Sequence, residues 1–246
     1  MTVTADLTAF VVALRSEIAK LRHARVFVTA LLVPAGFVAL KGGVFALRGE
    51  QSLGVDRYSY DYFFSIGQFF WDRLLIPLLA VAVCAWLVWL EDESAHWKVL
   101  LSQPVPRGAV YFSKLTMACA SVFLLQSTWW FFHTVCGLGL GLNGREALWV
   151  AGPQALRVAV ALAPVVCVQL LLSVLLRSPF ASLGIGIVGN TASLVLAGTA
   201  LNPWHPWGLA QLAGQPAAAR WAIWAALGTA GVLAYAGVFH FARKDI

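Results

Sequence analysis

Three consecutive carboxylates, Glu91, Asp92 and Glu93, open a polar passage that runs through His96, Trp97 and Lys98 to Pro104, Pro106 and Arg107. Side chains of these types serve as general acids and bases, as metal ligands, or as contacts for a charged partner. The spacing argues against the first two. The chain has no HExxH, no GxSxG and no paired acidic residues within an apolar span. His133, in the run Trp129-Trp130-Phe131-Phe132-His133, reads as a satisfied polar residue of a helix bundle rather than a ligand. The four cysteines, Cys84, Cys119, Cys136 and Cys167, lie in or at the edge of apolar segments and form no CxxC pair. They predict buried structural thiols, with neither a metal site nor a disulfide framework. Two readings remain: a polar loop built to meet something soluble, or a capped, charged loop that only connects two spans.

The elements that hold this loop are membrane spans. The chain is 60% hydrophobic and 11% charged, with a mean hydropathy of +0.78. Soluble domains carry about 25% charged residues, so this composition cannot coat a soluble globule of 246 residues. The fold class predicted is an all-α integral membrane protein forming one transmembrane domain over 1–246. Six apolar stretches, 26–47, 73–90, 112–140, 154–176, 181–201 and 219–241, each approach the roughly 20 residues a helix needs to cross the hydrocarbon. Ahead of them, residues 1–25 carry Leu7, Phe10, Val11, Leu14, Ile18 and Leu21 at spacings of three and four. Arg15, Glu17, Lys20, Arg22 and Arg25 are assigned to the other side, which describes an amphipathic helix lying on the membrane surface. No cleavable signal peptide is expected, because Asp6, Arg15, Glu17 and Lys20 interrupt any early apolar core.

Two loops between spans have distinct characters. Residues 48–72 pass from polar to aromatic, ending Tyr58-Ser59-Tyr60-Asp61-Tyr62-Phe63-Phe64, as an interfacial helix or a solvated loop with aromatic anchors. Residues 202–218 carry no charge, and Pro203, Pro206 and Pro216 forbid one continuous helix. A broken or re-entrant segment before the last span is expected, shielded by protein.

The net charge of +6 is spread in small basic groups at the ends of apolar segments, a topology signal rather than a nucleic-acid surface. Placing both termini in the cytosol collects Arg15, Lys20, Arg22, Arg25, Lys98, Arg107, Lys114, Arg177, Arg243 and Lys244 on the inside. Lys41, Arg48, Arg57, Arg73, Arg145, Arg157 and Arg220 then fall outside or within the membrane. Lys41 and Arg157, the candidate charges within spans, are expected to snorkel to the outer face. The loop 91–111 faces the cytosol in this orientation. Asp92 or Ser94 can cap a short helix there, with Trp97, Leu100 and Leu101 on one side, until Pro104 ends it.

These residues carry a resemblance. An acidic start, Trp97-Lys98, Leu100-Leu101, Gln103-Pro104-Val105-Pro106-Arg107 and then Ser113-Lys114 resemble the cytosolic loop of ABC-2-type transporter permeases. The pattern is most similar to the branch of lantibiotic-immunity and related peptide-resistance permeases. Ser16-Glu17-Ile18-Ala19-Lys20-Leu21-Arg22 resembles that family's entry helix, Asn202-Pro203-Trp204-His205-Pro206 its broken segment, and Phe241-Ala242-Arg243-Lys244-Asp245-Ile246 its tail. Members commonly have one acidic residue at the loop start, where this chain has three.

The resemblance implies a six-span permease with a coupling helix at about 92–103, on which a separate ABC ATPase docks. Glu91 and Glu93 would act as polar contacts or braces, and Trp97 and Leu101 as docking knobs flanked by Lys98, Leu100 and Pro104. Arg107 and Lys114 would fix the loop at the membrane surface. ATP and magnesium would sit on the partner, and no cofactor on this chain, which has no GxxxxGK[ST] loop. The implied assembly has two ATPase copies and a second permease, identical or sister, in the lipid of a bacterial cytoplasmic (inner) membrane. The implied activity is export of a substrate such as an antimicrobial peptide or other amphiphile. The alternative reading is a secondary transporter, or an intramembrane enzyme or scaffold, without an ATPase partner.

Overall fold

The computed structural model describes residues 3–23, 26–48, 60–65, 67–93, 106–176 and 178–243. All the regular elements in them are helical. The N-terminal helix α1 is Val3–His23 and the first long apolar helix α2 is Val26–Arg48, with Pro34 inside it. A short helix α3, Tyr60–Ser65, comes next. Helix α4, residues 68–93, is assembled from Gln68–Phe70, a π-helical turn Trp71–Leu75 and Ile76–Glu93. Helix α5 is Arg107–Gly139. Helix α6, residues 144–176, again contains a π-helical turn, Ala147–Ala151, and is interrupted between Ala161 and Ala163. Helix α7 is Pro179–Val195, α8 is Pro206–Ala213, and α9 is Ala219–Arg243.

Five of these helices are long and apolar enough to cross a membrane: Val28–Leu47, Tyr62–Glu91, Arg107–Gly139, Leu148–Leu176 and Ala219–Arg243. The expected span 181–201 is instead the 17-residue α7. At 1.5 Å per residue it measures about 25 Å, short of a hydrocarbon core about 30 Å thick. The chain after Val195 turns at Gly198, whose φ of 82° only glycine adopts readily. A 3₁₀ turn, Asn202–Trp204, then leads into α8. The uncharged 202–218 stretch therefore contains a short helix, with Trp207, Leu209, Ala210 and Ala213 buried. Protein shields this broken segment, as its lack of a continuous helix requires.

Two boundaries lie further out than hydropathy places them. The second span begins at Gln68 rather than Arg73, because the π turn carries the helix past Trp71 and Asp72 into the aromatic stretch. The third begins at Arg107 rather than Phe112, where Pro106 in extended geometry (φ −56°, ψ 129°) leads into the helix. Its carbonyl accepts from the amides of Ala109 and Val110.

Polarity runs opposite to a soluble core. Leu32, Leu40, Phe131, Phe180, Val188, Trp224 and Val232 are exposed, while Gln126, Gln169, Ser173, Ser182, Asn190 and Ser193 are buried. Lipid does not drive apolar faces together, so bundles cohere by close packing and interhelical hydrogen bonds. Gln169 Nε2 donates to the Ser182 carbonyl at 2.7 Å and to Ser182 Oγ at 2.6 Å, fastening α6 to α7. Beside it, a Cβ added at Gly186 would lie 2.3 Å from Val81 Cγ1, so α4 and α7 touch only because that residue is glycine. Gly186→Val is expected to destabilise the bundle by about 1–3 kcal/mol, read as a lower midpoint of thermal unfolding in detergent. Gly184, two residues earlier on α7, faces open space.

Candidate functional site

Helix α1 packs along α5, with Phe10 against Phe112 at 5.4 Å between ring centroids. The face of α1 turned inward carries Ala13 and Glu17, while Val11, Val12 and Ile18 are exposed. This corrects the sequence assignment of Glu17 to the solvent side. Phe10, Leu14, Glu17 and Leu21 follow one another at spacings of four, three and four, so Glu17 belongs to the apolar stripe. A carboxylate in such a stripe is a signal that it has a buried partner.

The partners come from the two ends of the polar loop. Glu91 sits in the last turns of α4, and Lys114 in the second turn of α5. Lys114 Nζ lies 2.8 Å from Glu91 Oε1 and 3.0 Å from Glu17 Oε1. Lys20, one turn beyond Glu17, reaches Glu17 Oε1 at 3.2 Å and also bonds Glu91 Oε1. Each ammonium thus touches both carboxylates, closing a neutral four-membered ring. The side chains of Glu17, Glu91 and Lys114 are at most 3% exposed, and that of Lys20 is 26% exposed. Burying any one of these charges alone would be costly, and mutual neutralisation makes the site tenable.

Burial pulls the Lys20 ammonium down, but Glu17 and Glu91 outweigh it and hold the group above the ordinary lysine range. A raised folded-state value stabilises below the unfolded one and is lost as pH rises through it. Lys20 therefore keeps its contribution across neutral pH and loses it only in strong alkali.

Glu91 and Lys114 come together in one buried contact, while Glu17 and Lys20, not among the expected site residues, complete it. Glu93 lies in the final turn of α4, and Arg107 opens α5, half-buried. Trp97, Lys98, Leu100, Leu101 and Pro104, with most of the expected 92–103 helix, lie outside the described residues.

A second polar group sits at the opposite end of the bundle. Lys41 does not snorkel outward: it is 5% exposed, bonded to His133 Nε2 at 2.5 Å and to the Phe64 carbonyl at 3.3 Å. It also lies over the Phe63 ring, 4.4 Å from the centroid. The Trp71 indole donates to Gln126 Oε1 at 2.8 Å and stacks on Trp129 at 5.6 Å. Asp72, read as part of an external loop, is buried with Oδ2 accepting from Gln68 and Gln154 at 3.2 and 3.3 Å. Among the described residues no group of three His, Cys, Asp or Glu side chains is arranged to hold a metal ion. All four cysteines are free thiols, Cys84 and Cys167 buried and Cys119 and Cys136 half-buried.

Residues 13–193, from the inner face of α1 to the end of α7, match the ABC-2 family transporter protein model. The chain belongs to the ABC-2 transporter family. No curated protein and no solved structure matches it. The match takes in Glu17, Lys20, Glu91 and Lys114 together with the loop between α4 and α5. An ABC-2 permease is the membrane component of a transporter, and the family works in general with an ABC ATPase that supplies the energy. In this permease the buried ring ties the end of α4 and the start of α5 to α1.

Proposed function

We propose that this ABC-2 permease is half of an exporter whose separate ATPase subunit docks on a coupling helix at residues 92–103. ATP and magnesium sit on that partner, two copies of which serve two permeases, identical or sister. The observation that carries the reading is the Glu17–Lys20–Glu91–Lys114 ring. It holds the end of α4 and the start of α5 at fixed spacing against α1, so a push on the intervening loop passes directly into both spans. A mere connector between two spans has no use for three buried charges and a half-buried fourth under its ends. Trp97, Leu100 and Leu101 supply the apolar contact with the ATPase, and Glu93, Lys98 and Arg107 the polar rim.

The substrate is an antimicrobial peptide or another amphiphile, as the loop's likeness to the lantibiotic-immunity branch supports, and the site of action is a bacterial cytoplasmic membrane with both termini inside. Topology is tested by thiol labelling in a background without native cysteines. Gln103→Cys is expected to react only from the cytosolic side and Arg145→Cys only from outside. Labelling of both from one face would overturn the orientation. The partner is tested by isolating the full-length chain from native membranes: an ATPase is expected to accompany it in equal amount. A permease that isolates alone and transports on an ion gradient would instead support secondary transport.

A further inference from the structure

Nineteen residue positions separate Asp72 from Glu91 along α4, which at 1.5 Å each places them about 29 Å apart. Asp72 therefore lies at the opposite membrane face from the ring. There, a cavity of about 300 Å³ opens between the outer end of α4 and the turn after α8. Asp72, Arg73, Gln211 and Gly214 line it, with Gln68 and Gln215 completing the polar wall.

Lys41 and Arg73 both act on the Asp72 carboxylate electrostatically, but neither closes an ion pair with it. Asp72 is 5% exposed; its Oδ2 accepts from the amides of Gln68 and Gln154, and its Oδ1 has no hydrogen-bond partner among the described residues. Neither Asp72 nor Arg73 has an ion-pair partner among the described residues, although they are consecutive. The buried Lys41 ammonium is turned to His133 and the Phe64 carbonyl. Arg73 is half-buried, its guanidinium 5.2 Å over the Phe69 ring. Gln211 is 3% exposed; its Nε2 donates to Ser193 Oγ at 2.7 Å, and its Oε1 has no hydrogen-bond partner among the described residues. Asp72 Oδ1 and Gln211 Oε1 are thus two buried acceptors without a hydrogen bond, an arrangement that is costly unless something brings a donor.

We propose that this cavity binds a zwitterion whose ammonium enters toward Asp72 and Gln211 while its anionic group stays under Arg73, the chemistry of phosphoethanolamine. The deep carboxylate and the shallower guanidinium set that order, which is also the order in which a phosphatidylethanolamine headgroup would enter from the leaflet. A trimethylammonium group cannot donate the hydrogen bonds, so choline headgroups are discriminated against. The volume lies at the small end of ligand cavities, about 300–1,000 Å³. This inference concerns binding at the face away from the loop, and it stands whether or not an ATPase docks.

The test uses the full chain in nanodiscs of equal phosphatidylethanolamine and phosphatidylcholine, with retained lipid counted by native mass spectrometry after extraction. Soluble O-phosphoethanolamine is titrated separately and read by thermal shift. Retention of phosphatidylethanolamine over phosphatidylcholine, displaced by O-phosphoethanolamine, identifies a lipid headgroup as the ligand. Binding of O-phosphoethanolamine without lipid preference identifies a free zwitterion. Asp72→Asn, which keeps an acceptor for the two glutamine amides, is expected to weaken either interaction about tenfold or more, the worth of a charge-assisted hydrogen bond. Gly214→Leu should fill the cavity without removing a polar group, since an added Cβ there meets Gln154 Nε2 and the Gln211 carbonyl at 3.5 Å, ordinary contact. Arg73→Gln, at a half-buried position that tolerates the change, weakens binding even if a buried variant fails to fold. No binding of either probe by the native chain, or binding unchanged in all folded variants, overturns the proposal.

Discussion

Lys114→Met and Glu91→Gln are each expected to destabilise the permease by about 3–5 kcal/mol, because each leaves a buried charge uncompensated. The two together should cost far less than the sum. Removing Glu91 and Lys114 at once leaves Glu17 and Lys20, which remain paired one turn apart on α1 and neutral between them. The coupling energy of the cycle should reach about 3 kcal/mol, the upper range for residues in one network. Denaturant unfolding of the four proteins in detergent gives the number. Additive costs would mean that the two side chains do not share a ring. The double variant separates stability from coupling, since it folds but no longer ties the loop ends to α1. It should keep ATPase binding and lose a large part of substrate transport.

Trp97→Ala, or Leu100→Asp combined with Leu101→Asp, should leave the permease inserted and folded but release the ATPase. A buried aromatic anchor costs about 2 kcal/mol or more when truncated, which weakens association about 30-fold. Glu93→Gln should be milder, about 1 kcal/mol if the carboxylate only caps a helix, and more severe if it meets a cation on the partner. Substrate-stimulated ATP hydrolysis in reconstituted membranes should fall with binding. Full binding and activity in the Trp97 and leucine variants would reduce the loop to a connector.

Hydropathy makes the long helices legible because a span must be apolar over its whole length, and the 26–47 and 219–241 readings come within a few residues of α2 and α9. It is weaker where polarity and burial part company. Asp72 reads as a loop residue because a carboxylate lowers the window average, yet a π turn carries it into the bundle. Lys41 reads as a snorkelling cation because it is near a helix end, but His133, ninety-two residues away, receives it inside. The ring shows both sides of this limit. Glu91 and Lys114 entered the sequence reading through the family resemblance, whereas joining them to Glu17 required knowing that α1 packs on α5. The signal lay in the helical stripe, where Glu17 follows Phe10 and Leu14. A stripe shows that a residue is buried and not which partner, a hundred residues on, buries it. The short α7 was missed for another reason. The apolar run through Leu201 continues beyond the helix, and composition does not register the turn at Gly198.

The central claim is that the loop held by the ring is where an ATPase meets this permease, and cross-linking from within the loop tests it most directly. The full-length chain carrying Leu101→Cys, in a background without native cysteines, is modified with a short photoactivatable thiol reagent in native membranes and irradiated. The expected product is one covalent adduct joining the permease to an ATPase subunit, lost when Trp97→Ala is added and weakened when Glu91→Gln and Lys114→Met loosen the ring. Adducts with lipid alone, or an ATPase adduct indifferent to Trp97, would contradict it.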